Sequence, residues 1–292
     1  MVYENTNSGF RFKARSRAFR LLVAALGLSL AGSALAASES AGAVTGGSPP
    51  GGPAASPAAV TLGMSYVVPP HVPGSKVRTP EGLAPLLAER LHKQLPVQAV
   101  AVPVAKETAA QQDNKASADA LLLPLDEDEA GQQAGQVIPT GYRAGIMAIM
   151  RTDTDIHSWD DLRGRTVCLA EGSTLAGQME TRYGAIEKVF QAPADALLDL
   201  RFGGCDAAVH DSTMLEALLQ FPEWQKFSAR LPIQQERDLA FIVPDRASAL
   251  AEVLQEQVRQ WQDNDILAKL TRQAAQDIAF EVYMDQEVPD CH

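Results

Sequence analysis

The chain has 292 residues, with 36 Asp and Glu against 25 Lys and Arg, for a net charge of −11 at pH 7. An acid excess of this kind argues against nucleic acid and anionic membrane surfaces as partners. The length leaves room for two small lobes or one large domain.

The N-terminus carries a targeting pattern. Arg11, Lys13, Arg15, Arg17 and Arg20 form a basic stretch, Leu21 to Leu30 is an apolar run, and Ala34-Leu35-Ala36 ends it with small residues. This is the order of a cleaved secretory signal peptide, so residues 1–36 are expected to be removed. The apolar run is far shorter than the roughly 20 residues of a membrane-spanning helix. No cysteine follows it to carry a lipid anchor. Residues 37–59 are mostly Ala, Gly, Ser and Pro. Such a composition buries too little surface to offset its ordering entropy, and the segment reads as a flexible linker.

Beyond the linker, short apolar segments alternate with helical periodicity. Val60 to Met64 reads as a strand, closed by the Pro69-Pro70 and Pro73-Gly74 loop. Leu83, Leu86, Leu87 and Leu91 recur at helical spacing within Glu81 to Gln94. Val97 to Val104 and Ala118 to Leu125 are strand candidates, and the polar stretch Ala105 to Lys115 between them is left open as helix or loop. Tyr142 to Met150 is the next strand and Ser158 to Leu162 a capped turn. Thr166 to Ala170 is a buried strand that runs through Glu171-Gly172-Ser173-Thr174 into a helix carrying Met179. Ala194 to Phe202 is a helix stopped by Gly203-Gly204, followed by a strand over Asp206 to His210 and a helix over Met214 to Leu219. A strand over Asp238 to Val243 precedes two closing helices, Ala247 to Trp261 and Ile266 to Ala279. Buried strands alternating with helices mean an α/β fold with mostly parallel sheets.

The chain has three cysteines, Cys168, Cys205 and Cys291. An exported protein meets an oxidising compartment, where two of them can pair. Their spacing fits no zinc motif, and the five histidines are scattered, so neither metal nor cofactor is expected.

Three stretches then stand in a particular order. Ile156 to Arg165 looks like the pattern I-x-S-x-x-D-L-x-G-K with Arg165 for the Lys, Thr166 to Thr174 looks like V-x-V-x-x-G-T-T with Leu169 and Ser173 departing from it, and Leu200 to Asp211 looks like L-x-x-G-x-x-D-A-x-x-x-D. Together they resemble the extracellular solute-binding proteins of family 3, the amino-acid receptors of ABC importers. Weaker similarity reaches Pro69-Pro70 and Ile266 to Leu270. The resemblance implies the type II periplasmic binding fold: two lobes, each a mostly parallel sheet flanked by helices, joined by two hinge strands. The first lobe is expected over 60–142 plus 240–292 and the second over 146–236. The crossovers are expected near Tyr142 to Gly145 and Glu236 to Ala240, with the ligand between the lobes.

The residues themselves suggest chemistry that the resemblance sharpens. A Gly172-Ser173-Thr174 turn opening a helix would offer free N–H groups to an anion. Capping by Ser173 or Thr174 is the plainer role. Asp211, beyond the carboxyl end of a buried strand, is placed to hold an ammonium or to cap the next helix. In the family the matching Asp holds the α-ammonium of an amino acid, so the resemblance makes Asp211 and Gly172 to Thr174 ligand contacts. Tyr66 and Tyr142 join the expected set, with Asp126 from the acidic run Asp126 to Glu129 and Arg143 from the hinge strand. That run stands where the family keeps T-x-x-R, whose Arg clamps the ligand carboxylate. A bidentate Arg is not readily replaced, so this chain departs from the family there. Acids facing the cleft would favour a polyamine or a basic amino acid; a solvated loop is the plainer fate of such a run. Asp206, at the start of its strand, reads as structural. Some family members carry cysteines in both places, which implies a Cys168–Cys205 disulfide with Cys291 spare.

The function implied is capture of a small polar solute, an amino acid or related amine, by a monomer in the periplasm. Delivery would be to an ABC permease in the inner membrane. The alternatives are a ligand-sensing module acting with a membrane receptor and a cyclohexadienyl-dehydratase-like enzyme. The enzyme reading lacks a convincing set of acid, base and carboxylate clamp.

Overall fold

The computed structural model describes residues 59–101 and 118–286, all inside one compact unit that spans Ala54–His292. The expected signal peptide, residues 37–58 of the linker, the polar stretch Ala105 to Lys115 and Cys291 lie outside the described residues.

The first lobe opens with Val60–Met64 (β1), which pairs in parallel with Val97–Ala101 (β2) and Ala120–Leu125 (β3). Between β1 and β2, Ala84–His92 (α1) buries Leu87, Ala88 and Leu91 along one face. Pro85 sits in its first turn, where the missing N–H costs nothing. The helix starts later than the leucine spacing predicts, so Glu81 lies ahead of it. Glu127–Gly131 (α2) follows β3, and then comes Gln136–Met150 (β4), a strand of 15 residues.

The second lobe holds Thr166–Ala170 (β5), Met179–Tyr183 (α3), Ile186–Phe190 (β6), Pro193–Phe202 (α4), Ala207–Asp211 (β7) and Ser212–Leu218 (α5). Strand β5 pairs in parallel with β6 and β7. Strand β6 has one neighbour, half-exposed residues and the charges of Glu187 and Lys188. Edge strands of that composition lack the apolar run that marks a buried strand, and sequence reading passes over it. A short Ala229–Arg230 strand (β8) precedes Gln234–Val243 (β9), and Ser248–Asp263 (α6) and Ile266–Met284 (α7) close the chain.

The strand order is β2-β1-β3-β9-β4-β7-β5-β6, with β8 against β4. Each half repeats one plan. A parallel trio is met antiparallel by a long strand arriving from the other half: β9 on β3, and β4 on β7. Strands β4 and β9 pair with each other and pass between the halves. This is a two-lobed α/β architecture with two crossover strands, the type II periplasmic binding fold. One core gathers Leu62, Leu87, Phe241 and Trp261 in the first lobe. Two others cover opposite faces of the second-lobe sheet, around Leu197, Leu215 and Trp224 and around Trp159, Leu162 and Leu169.

One expectation changes and one holds. The C-terminal segment does not stay with the first lobe. Helix α7 begins against the first core through Ile266, Leu267 and Leu270, but its later face puts Ile278 and Val282 into the second core. The apolar face simply runs on along a helix of 19 residues, long enough to touch both. The disulfide forms as expected: Cys168 on β5 and Cys205 ahead of β7 are joined across adjacent strands, with a Cα separation of 5.9 Å. The sulfurs carry no proton, and the neighbouring Asp199 takes its charge partner from Lys188 at 2.8 Å. No helix among the described residues is long and apolar enough to cross a membrane.

Candidate ligand-binding cleft

A cleft of about 820 Å³, counted to its open mouth, lies where β4 and β9 pass between the lobes. The pleat of the two strands decides which of their residues enter it. On β4, Tyr142 and Ala144 line the cleft, and on β9 so do their cross-strand partners Leu239 and Arg237. Residues between them turn the other way, because side chains alternate faces along a strand. Arg143 is therefore not a cleft residue, contrary to expectation. It is 57% exposed and pairs with Asp238, its direct cross-strand partner, at 3.0 Å.

Asp126 is also outside the cleft lining, and the reason is local. Its carboxylate accepts from Glu129 N–H at 2.8 Å, and Asp126 N–H donates to Glu129 Oε2 at 3.0 Å. This reciprocal capping box starts α2. The acidic run follows the preference of helix N-termini for negative charge rather than serving a ligand. The argument for a polyamine or basic amino acid from that run loses its premise.

Asp211 stands at the cleft end of β7 and does two jobs. Its Oδ1 accepts from Thr213 N–H (2.9 Å), Thr213 Oγ1 (2.7 Å) and Met214 N–H (3.2 Å), which caps α5. Its Oδ2 accepts from the Tyr142 hydroxyl at 2.7 Å and borders the cleft. Burial raises the Asp211 pKa, the bonds from Thr213 and Tyr142 pull against that rise, and the Glu81 charge adds to it. Burial first, then the Asp211 charge, pushes the Tyr142 phenol well above its ordinary value, so it stays protonated and donates.

Gly172, Ser173 and Thr174 line the same cleft. They do not open a helix, however: the chain turns until Met179, where a helix of five residues begins. The free N–H groups ahead of it, Gly177 and Met179, already donate to the Glu187 carboxylate on β6. Ser173 Oγ accepts from Leu175 N–H at 3.3 Å. The helix-terminus anion site expected there is absent, and what remains is a turn whose glycine allows close approach. A Cβ on Gly172 would stand 2.8 Å from Glu81 Cβ and 3.0 Å from Tyr66 Cδ1, both of the first lobe. The lobes are shut tightly at this point. Tyr66 lines the cleft, its phenol raised by burial and then by the charges of Glu171 and Glu81.

Sequence reasoning missed three cleft residues. Glu81, 8% exposed, reaches across from the first lobe. Its Oε2 lies 2.7 Å from His210 Nδ1, and its Oε1 accepts from Asp211 N–H at 2.9 Å. The sequence reading places it at the start of the helix Glu81 to Gln94, which hides this role. His210 reads as one more residue of a buried strand. Arg237 was detectable in principle, since it sits two residues from the apolar Leu239 on the same strand face.

Fold and cleft define the class: a two-lobed α/β protein with a cleft between its lobes. No protein-family model matches the chain. In sequence it is 29% identical over 96 residues to "Probable amino-acid-binding protein YxeM" of Bacillus subtilis, a match covering 32% of this chain and 36% of that relative. The match thus spans about a third of the relative's length. Among solved structures, the P235GK mutant of ArgBP from T. maritima aligns at 20% identity and a TM-score of 0.46, covering 73% of this chain and 93% of the other. The amino-acid ABC transporter substrate-binding protein AbpA of Streptococcus pneumoniae, solved with L-arginine, aligns at 16% identity and a TM-score of 0.47, covering 75% and 95%. The ancestral amino-acid-binding protein AncCDT-1, a precursor of cyclohexadienyl dehydratase, aligns at 18% identity and a TM-score of 0.45, covering 74% and 94%.

Proposed function

We propose that this protein is the substrate-binding component of an ABC importer and captures a small amine-bearing solute, an amino acid or a related amine, in the periplasm. The observation that carries the reading is the cleft between two joined lobes with the half-buried carboxylate of Asp211 at its wall. An ionised carboxylate there pairs with an ammonium through charge-assisted hydrogen bonds. The partial match to a protein named as amino-acid-binding supports the same ligand class. The basic, apolar and Ala-x-Ala order of residues 1–36 supports export. A monomer working with an inner-membrane permease, and binding rather than turnover, complete the reading.

The test is a thermal-shift screen of amino acids, polyamines and organic acids. A solute at a hundred times its Kd should stabilise the folded state by about 2.7 kcal/mol. Asp211→Asn keeps an acceptor for the α5 cap and removes the charge. It should weaken binding by about 2 kcal/mol, with Asp211→Ala weaker still. The reading falls if no amine-bearing solute shifts the melt, or if both variants bind as tightly as wild type.

A further inference from the structure

Arg237 lies on β9 opposite Ala144, on the face of the crossover strands that also carries Tyr142. Among the described residues lining the cleft it is the one side chain with a fixed positive charge, set against the carboxylates of Glu81 and Asp211. Its guanidinium is 27% exposed and makes a long contact of 3.3 Å with Glu129, a residue of α2 that is itself 41% exposed. Asp238, the acid that follows Arg237 in sequence, is occupied by Arg143 on the outer face. Arg237 is thus held loosely by a half-solvated carboxylate at the edge of the cleft. Its five donors can serve more than that one contact.

We propose that Arg237, delivered by the crossover strand, is the carboxylate clamp of this cleft and that Glu129 is its stand-in partner when no ligand is bound. The inference rests on the solute-capture reading above and narrows it to solutes carrying both an ammonium and a carboxylate. The ammonium meets Asp211, and the carboxylate takes Arg237 in the two-pronged geometry that a guanidinium fork prefers. The acidic run of α2 then has a second use. It supplies an acid that keeps the hinge arginine oriented and exchangeable. Exchange of one carboxylate for another keeps the guanidinium paired throughout.

The experiment compares each amino acid with the amine made by removing its carboxyl group, by calorimetric titration of the full chain. The pairs are lysine and cadaverine, arginine and agmatine, histidine and histamine, tyrosine and tyramine, and alanine and ethylamine. For the pair that binds, the amino acid should be held about 100-fold more tightly than its amine. Arg237→Gln should bring the amino acid down to the affinity of the amine and leave the amine unaffected. Arg237→Lys, which keeps charge without the fork, should fall between. Glu129→Gln, which releases Arg237, should strengthen amino-acid binding several-fold and leave the amine unaffected. Melting of each variant without ligand separates a lost clamp from a lost fold. An amine bound as tightly as its amino acid, or equal losses for both in Arg237→Gln, overturns the clamp while solute capture stands. If no member of any pair binds wild type, solute capture itself fails and the clamp with it.

Discussion

The two walls of the cleft are built by different means. On the second-lobe side the key residues sit at the ends of buried strands: Gly172 just beyond β5 and Asp211 closing β7. Those strands pair with each other and are joined by the Cys168–Cys205 bridge. On the first-lobe side Tyr66 and Glu81 sit on loops, and the loop that carries Glu81 is strapped to the other half of the molecule. Arg78 pairs with Asp195 of α4 at 2.7 Å and with Asp285 after α7. Thr79 donates through N–H and Oγ1 to Glu281 of α7 at 2.9 and 2.7 Å. One wall is placed by its own register and core. The other is placed by the wall it faces.

The largest test of that contrast removes the bridge. Cys168→Ser with Cys205→Ser should lower stability by about 4 kcal/mol, the chain-entropy value for a loop of this size. Thermal melting without ligand, with and without a reductant, reads it. A melt that does not move would mean that the second wall is held by packing alone. The next test acts where the walls touch. Gly172→Ala puts a Cβ against Glu81 and Tyr66. Neither contact is the far end of a flexible side chain, so the lobes must part. Ligand affinity should fall about 100-fold, or about 2.7 kcal/mol, while the ligand-free melt stays within a degree or two. Unchanged affinity would show that closure tolerates the methyl group and that the contact is slack.

The same contrast accounts for what the sequence reveals. Buried strands announce themselves as short apolar runs, and the residue after such a run is a cleft candidate in an open α/β sheet. Asp211 and Gly172 are legible for that reason. Asp126 and Arg143 failed for local reasons that a motif does not encode. A capping box turned Asp126 into its own helix, and one residue of strand parity turned Arg143 outward. Arg237 has the right parity, but fixing that parity needs the register of β9 against β4. A bulge interrupts that register between Ala144 and Ile146, with Gln235 in the left-handed region. Glu81 is positioned by hydrogen bonds to residues 129 and 130 places away in sequence. No local pattern carries such a contact.

Glu81 offers a third and smaller test. Removing its carboxylate in Glu81→Ala leaves the Nδ1 of buried His210 and the Asp211 N–H without a partner, at a cost of about 2 kcal/mol to the closed form. Glu81→Gln keeps an acceptor for one of them and should cost less. Small-angle scattering without ligand reads the effect as a shift toward the open form, a larger radius of gyration in Glu81→Ala than in Glu81→Gln. Identical curves for both variants and wild type would show that Glu81 does not join the walls.

The smallest effect concerns pH, and it separates the walls by sign. Asp285, which anchors the strap, has its pKa lowered from the ordinary 3.8 by hydrogen bonds from Lys76 and Arg78. A lowered folded-state value contributes stability that is present above 3.8 and is lost as pH falls through the lower folded value. Asp211 moves the other way, raised above 3.8 chiefly by burial. Its linkage favours the fold below 3.8, and that contribution is lost as pH rises through the raised folded value. If Asp211 holds the ammonium as proposed, ligand binding reverses the sense, because an ammonium needs the ionised form. Affinity should be level above the raised Asp211 value and fall about tenfold per pH unit below it. Between that value and 3.8 the strap is still charged, so the protein should stay folded while it releases its ligand. Titration calorimetry across the acid range, paired with a melt at each pH, measures both. Asp211→Asn should bind weakly at every pH and lose this slope. If the slope persists in Asp211→Asn, another group on the ligand or in the cleft is titrating and Asp211 is not the ammonium partner.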